Sequence, residues 1–113
     1  MDEEILETAK SICACGAEDE ALLKRLCAAS AQALERELRE GVAPEDCEGA
    51  FICASAWLAA AALTDARLGG GDVTIEVRGG ANSERAAALR RSARQLMAPY
   101  TEGGGFFFCA VKG

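Results

Sequence analysis

The sequence predicts a mainly α-helical protein of one domain: a small bundle of about four helices around a central alanine-rich helix, with one glycine-flanked β-strand or hairpin arm and an apolar C-terminal tail. Three observations lead to this prediction. An uncharged stretch, Gly49–Thr64, lies in a chain of which 27% of the residues are charged. Apolar residues before and after it recur every three or four positions, as on one face of an amphipathic helix. A chain of 113 residues has the length of a single domain.

The N-terminal segment, residues 1–16, is predicted to contain a short helix that docks loosely on the rest. Gly16 is expected to end this helix, because glycine readily terminates helices. The apolar residues have the spacing of one helix face: Ile5, Leu6, Ala9, Ile12 and Cys13.

Residues 18–65 are predicted to form a helical hairpin, the core of the domain. Its first helix should begin near Glu18, where acidic residues favour the positive end of the helix dipole, and run to Glu40 before Gly41. The linker at residues 41–43 is so short that the second helix must turn back antiparallel to the first.

The second helix of the hairpin contains the uncharged stretch. Pro44 and the carboxylates after it suit the first turn of a helix. Sixteen apolar or small residues would span about 24 Å, whereas crossing a bilayer takes roughly twenty residues. We therefore expect a core helix, whose alanines let neighbouring backbones approach closely. The predicted core consists of Leu23, Leu26, Leu34, Phe51, Ile52, Trp57, Leu58, Leu63, Leu89 and Leu96.

The glycine-rich segment, residues 66–82, is predicted to form the arm. Val73, Ile75 and Val77 alternate with polar residues, which is the pattern of a strand. A single strand leaves backbone groups unpaired. We therefore expect residues 72–78 to pair either with the apolar tail of the same chain or with an adjacent subunit.

Residues 83–98 are predicted to form the last helix, with Ser83 as its N-cap and Pro99 after its end. Its polar face carries four arginines: Arg85, Arg90, Arg91 and Arg94. The tail, residues 99–113, contains an apolar run that needs a place to be buried: Phe106, Phe107 and Phe108.

Charge is distributed unevenly along the chain. Residues 1–48 hold thirteen acidic and five basic residues, whereas residues 49–113 hold five and seven. The two halves could attract each other within one chain or between copies, although a solvated surface without a partner explains the same pattern. We expect the arginines of the last helix to meet carboxylates, either on the first two helices or on another subunit.

The sequence contains no recognisable catalytic motif. It has no histidine and its six cysteines include no CxxC pair, so we predict no enzyme activity, no cofactor and no metal site, and cysteines that are reduced. Two alternatives stay open. One is a small helical regulator that binds nucleic acid or a partner protein through residues 84–98, and the other is a cysteine-ligated metal or redox protein.

The order of these features resembles the head-tail connector, or adaptor, proteins of tailed bacteriophages and prophages. The similarity covers most of the chain after Val42. It lies in Pro44-Glu45-Asp46-Cys47, Ala56-Trp57-Leu58-Ala59, Gly71-Asp72-Val73-Thr74, Leu89-Arg90-Arg91, the run from Leu96 to Tyr100 and the ending from Phe106 to Gly113.

This resemblance implies a structural role without bond chemistry. Subunits of such proteins form a ring under the portal, extend the DNA channel and receive the next connector or tail protein. Residues 72–78 would then reach a neighbour and residues 106–111 would seat in another subunit or in the portal, so the implied subunit interface combines Val73, Ile75 and Val77 with the four arginines and the three phenylalanines. DNA would be cargo in the channel.

The expected location follows from the N-terminus, which is acidic and therefore unlike a signal peptide. We expect the protein in the host cytoplasm during assembly and then in the virion.

Overall fold

The computed structural model describes the backbone of residues 1–13, 16–69 and 75–101, and the side chains of these residues except 68, 69 and 75–83. Within this part of the chain the protein is a bundle of four α-helices. They are α1 (Asp2–Ile12), α2 (Ala17–Glu37), α3 (Glu48–Gly69) and α4 (Ile75–Met97), with 3₁₀ turns at Pro44–Cys47 and Ala98–Tyr100. The prediction of a mainly helical bundle is confirmed.

α3 lies at the centre of the bundle. It packs against each of the other three helices, most extensively against α4. Close approach is possible because the residues at the contacts are small. Five alanines of α3 are completely buried: Ala54, Ala56, Ala59, Ala60 and Ala61.

Each helix contributes one large side chain that is at most 1% exposed: Ile5 from α1, Leu23 from α2, Leu63 from α3 and Met97 from α4. The expectation that α1 docks loosely is wrong. Its apolar face is part of the common core, because Ala9 is also completely buried, one turn after Ile5.

The residues predicted to form the core are either buried or half-buried. Leu23, Leu34, Phe51 and Leu63 are buried. Five others are half-buried and pack against that cluster: Leu26, Ile52, Trp57, Leu58 and Leu89. Leu96 is also half-buried, whereas its neighbour Met97 is completely buried.

The connection between α2 and α3, residues 38–47, contains a turn at Gly41 and the 3₁₀ turn at Pro44–Cys47. Gly41 has a φ of 89°, in the left-handed region that glycine enters without strain. The Asp46 carboxylate accepts a hydrogen bond from the backbone N–H of Ala43 at 2.8 Å and so closes the 3₁₀ turn before α3.

α2 ends at Glu37, three residues before the predicted end. The backbone of the next two residues is used elsewhere. Leu38 forms an isolated antiparallel bridge with Thr101, and the N–H of Arg39 donates to the carbonyl of Tyr100 at 2.9 Å. These contacts fasten the end of α2 to the segment that follows α4.

The strand predicted for residues 72–78 is not found where the structure describes the chain. Residues 75–78 form the first turn of α4, and residues 72–74 lie outside the described part. α4 therefore begins eight residues before Ser83, which was predicted to cap it. A helix bonds its backbone groups within itself, whereas a single strand needs a partner for them.

The segment Pro44–Arg67 is long and apolar enough to cross a membrane by length and composition alone. The core helix of a soluble bundle passes the same test, and half of the most apolar window of this segment is buried inside the protein. The packing of α3 against three helices accounts for its apolar composition.

We predict that Ala56→Leu destabilises the protein strongly. A larger side chain has no space at this completely buried position, and overpacking typically costs about 1–3 kcal/mol. Ala66→Leu is the matched control, because Ala66 is an exposed alanine of the same helix and its replacement should change the free energy of unfolding by less than about 0.5 kcal/mol. Urea denaturation measures both variants, and equal effects would contradict close packing at Ala56.

Candidate assembly surface and groove on α4

The arginines of α4 divide into two groups. Arg85 donates a hydrogen bond to the backbone carbonyl of Ile12, the last residue of α1, at 2.9 Å. Arg90 forms an ion pair with Asp65 of α3. These two arginines therefore connect α4 to other helices of the same subunit. A guanidinium at the carboxyl end of α1 also suits the negative end of its dipole.

Two further ion pairs connect helices at the surface. Arg67 of α3 contacts Asp19 of α2 at 3.0 Å, and Lys10 of α1 contacts Glu20 of α2 at 3.3 Å. Their side chains are 31–48% exposed. Exposed pairs contribute at most about 1 kcal/mol each, so they align helices that the core already holds.

Arg91 and Arg94 are exposed on α4. Most exposed carboxylates among the described side chains lie on α1, on α2 and in the segment up to the first residue of α3, whereas α4 contributes one, Glu84. The former are Asp2, Glu3, Glu4, Glu7, Glu18, Glu20, Glu35, Glu40, Glu45, Asp46 and Glu48. The same segments also expose five basic residues: Lys10, Lys24, Arg25, Arg36 and Arg39. Acidic side chains thus outnumber basic ones on α1, α2 and the following turn, and arginines predominate on the described side chains of α4.

A groove of about 290 Å³ runs between α2, α3 and α4. Its apolar side chains include Leu34, which is 3% exposed, and Ala93, which is 1% exposed. The remaining lining residues are Ala33 and Glu37 from α2, Leu58 from α3, and Arg90 and Arg94 from α4. The groove therefore combines an apolar floor with two guanidinium groups and one carboxylate.

A second cleft of about 160 Å³ lies between α1 and α2. Ile5, Leu6 and Cys27 provide apolar surface there, and Asp2, Glu3 and Lys24 provide charge. This cleft is smaller than the groove on α4, and acidic residues outnumber basic ones in its lining.

None of the described cysteines forms a disulfide. Cys13, Cys27 and Cys47 are buried and Cys53 is half-buried. Burial, and secondly the negative charge of Asp46, raises the pKa of the Cys47 thiol, so this thiol is protonated at neutral pH and is a poor nucleophile and metal ligand. No group of three or more potential metal ligands occurs among the described residues.

Several residues predicted for the subunit interface lie outside the described part of the chain: Val73, Phe106, Phe107 and Phe108. Ile75 and Val77 belong to the first turn of α4. The groove was not predicted, although Arg90 and Arg94 are one turn apart on α4, as are Ala33 and Glu37 on α2. Helical spacing shows that each pair shares a face, but not which faces meet.

Comparison with known proteins adds no relative to this description. The chain matches no protein-family model, no characterised protein and no solved structure. Functional inference therefore depends on the geometry of the surfaces described above and on the resemblance in residue order.

We predict that Arg90→Glu destabilises the protein by about 1 kcal/mol at low salt, because it places a carboxylate beside Asp65 where an ion pair was. The double variant Arg90→Glu with Asp65→Arg should recover at least half of this loss. Arg91→Glu is the control and should have little effect on the free energy of unfolding. Urea denaturation at low and high salt tests this, and a loss that neither the swap nor salt reduces would mean that Arg90 acts through packing.

Proposed function

We propose that this chain is a non-enzymatic structural protein of a tailed phage or prophage, a subunit of a head-tail connector ring under the portal. In this role it extends the DNA channel and receives the next connector or tail protein. The resemblance in residue order suggests the family. The uneven distribution of charge on the subunit surface, acidic on balance on α1 and α2 and basic on balance on α4, is the observation that carries the proposal.

A closed ring is built from one repeated contact between two different surfaces of the subunit. Exposed carboxylates on α1, α2 and the following turn provide one such surface, and Arg91 on α4 is exposed on the other. Opposite charges on separate helices can meet between copies, and this increases the rate and specificity of association. Arg85 and Arg90 stabilise the subunit itself, so we assign the contact between subunits to the neighbourhood of Arg91.

Other parts of the proposal concern residues outside the described part of the chain. Residues 106–111 would anchor the assembled subunit to a neighbour or to the portal. Residues 72–78, which include the first turn of α4, would contribute to the contact with a neighbouring subunit. The acidic character of the chain, with a pI of about 4.7, suits a channel through which DNA slides, because a basic lining would retain phosphates. The protein would act in the bacterial cytoplasm during assembly and then in the virion.

A nucleic-acid-binding regulator that uses α4 is the alternative from another class. It would need several arginines directed at phosphates. Arg85 and Arg90 already have partners inside the subunit, which leaves a smaller cationic surface than the sequence suggests. Tight binding to duplex DNA at physiological salt would favour this alternative over the connector.

We predict that deleting the gene in the bacterium that carries it yields DNA-filled heads without attached tails after prophage induction. A wild-type copy should restore joined particles, and the chain should then be found in purified virions by mass spectrometry. Electron microscopy of the particles is the measurement. Normal particles from the deletion strain would contradict a connector function.

We predict that Arg91→Glu weakens self-association by about tenfold at low salt, which corresponds to the loss of one interfacial charge contact. Arg91→Lys retains the charge and is the matched control. Sedimentation velocity at low and high salt measures the effect, in the presence of a portal ring if the chain needs one as a template. Unchanged association of Arg91→Glu would show that the contact between subunits lies elsewhere.

A further inference from the structure

The groove between α2, α3 and α4 has the size and chemistry of a site for aromatic side chains. A buried apolar cavity of about 150 Å³ is enough to hold a benzene molecule, and this groove measures about 290 Å³. Leu34, Leu58 and Ala93 provide apolar contact, and Arg90 and Arg94 lie at the same groove. Arginine stacks favourably on aromatic faces. The ion pair of Arg90 with Asp65 uses hydrogens in the plane of the guanidinium, so Asp65 itself does not cover the faces on which an aromatic ring would stack.

The described chain ends beside this groove. Thr101 is paired with Leu38, which directly follows the groove residue Glu37. Four residues, Glu102 and three glycines, separate Thr101 from Phe106. Four residues extend over at most about 14 Å, whereas the groove wall from Glu37 back to Ala33 rises only about 6 Å along α2. The phenylalanines that follow are therefore within reach of the groove.

We propose that the phenylalanine segment, residues 106–108, docks in the α2–α3–α4 groove of its own chain. The short tether gives this segment an effective concentration at its own groove in the millimolar range, far above that of segments from other copies in dilute solution. Docking also removes aromatic side chains of this segment from water, where they would otherwise form an exposed apolar patch. The inference concerns the free subunit and does not depend on the connector function. A segment that also anchors the subunit to a neighbour would have to leave the groove first.

Disulfide trapping tests the proposal, because Cys109 directly follows Phe108. Ala33→Cys places a thiol in the groove at an exposed alanine of α2. Ala28→Cys is the matched control, since Ala28 is also an exposed alanine of α2 but lines the cleft facing α1. Under mild oxidation of the full chain, the bond between positions 33 and 109 should form at least about ten times faster than that between positions 28 and 109. Peptide mapping by mass spectrometry identifies each bond and separates it from bonds of the other cysteines.

Two outcomes of this experiment would overturn the proposal. Equal rates at positions 33 and 28 would mean that the tail has no preference for the groove. In a mixture of isotopically labelled and unlabelled protein, bonds predominantly between chains would mean that the groove receives the tail of a second copy. The latter result would leave the proposed connector function intact.

Replacing Phe106, Phe107 and Phe108 together by serine provides a second measurement that needs no new cysteine. If these rings are docked, the variant should have a Tm lower by about 5 °C or more. In the Ala33→Cys protein, the same replacement should slow cross-linking to the rate of the Ala28→Cys control. An unchanged Tm, or unchanged cross-linking, would show that the phenylalanines do not occupy the groove.

Discussion

Close approach of three helices to α3 is the constraint on which the rest of the structure depends. A helix with alanine on nearly every side cannot bury much area through its own side chains, so stability requires that neighbouring helices approach its backbone closely. Large side chains from those neighbours, such as Leu23 and Met97, supply the apolar area. Ser55 is an informative exception among the buried residues of α3. It is small enough to fit, yet its hydroxyl has no hydrogen-bond partner among the described residues, and such a group typically costs about 1–3 kcal/mol.

The charged residues add contacts between helices that this packing already holds together. Arg67 and Arg90 connect α3 to α2 and to α4, and Arg85 connects α4 to α1. None of these contacts is deeply buried, so each fixes the relative rotation of two helices more than it adds stability. The arginines of α4 accordingly have two different roles. Those directed toward α1 and α3 are used within the subunit, and Arg91 is exposed on the surface of α4.

The helical core could be predicted because its signals are local. Helical spacing, the short turn at Gly41 and the long uncharged stretch each depend on a few adjacent residues. The arm was predicted wrongly over residues 75–78 because alternation of Val73, Ile75 and Val77 covers only five positions, and backbone hydrogen bonding decides between strand and helix at that length. The partners of Arg85 and Arg90 are 73 and 25 residues away in sequence, so their identity depends on how the helices are rotated in the bundle.

The position and lining of the groove depend on the same rotation of the helices in the bundle and also on the residue at which α2 ends. If α2 continued to Glu40 as its periodicity suggests, Leu38 and Arg39 would bond within the helix and could not hold Tyr100 and Thr101. Because α2 stops at Glu37, its backbone fastens the chain after α4. The last described residue is then held beside a groove that α2, α3 and α4 line together. The early end of one helix thereby determines where the chain after α4 is held, next to a residue of α2 that lines the groove.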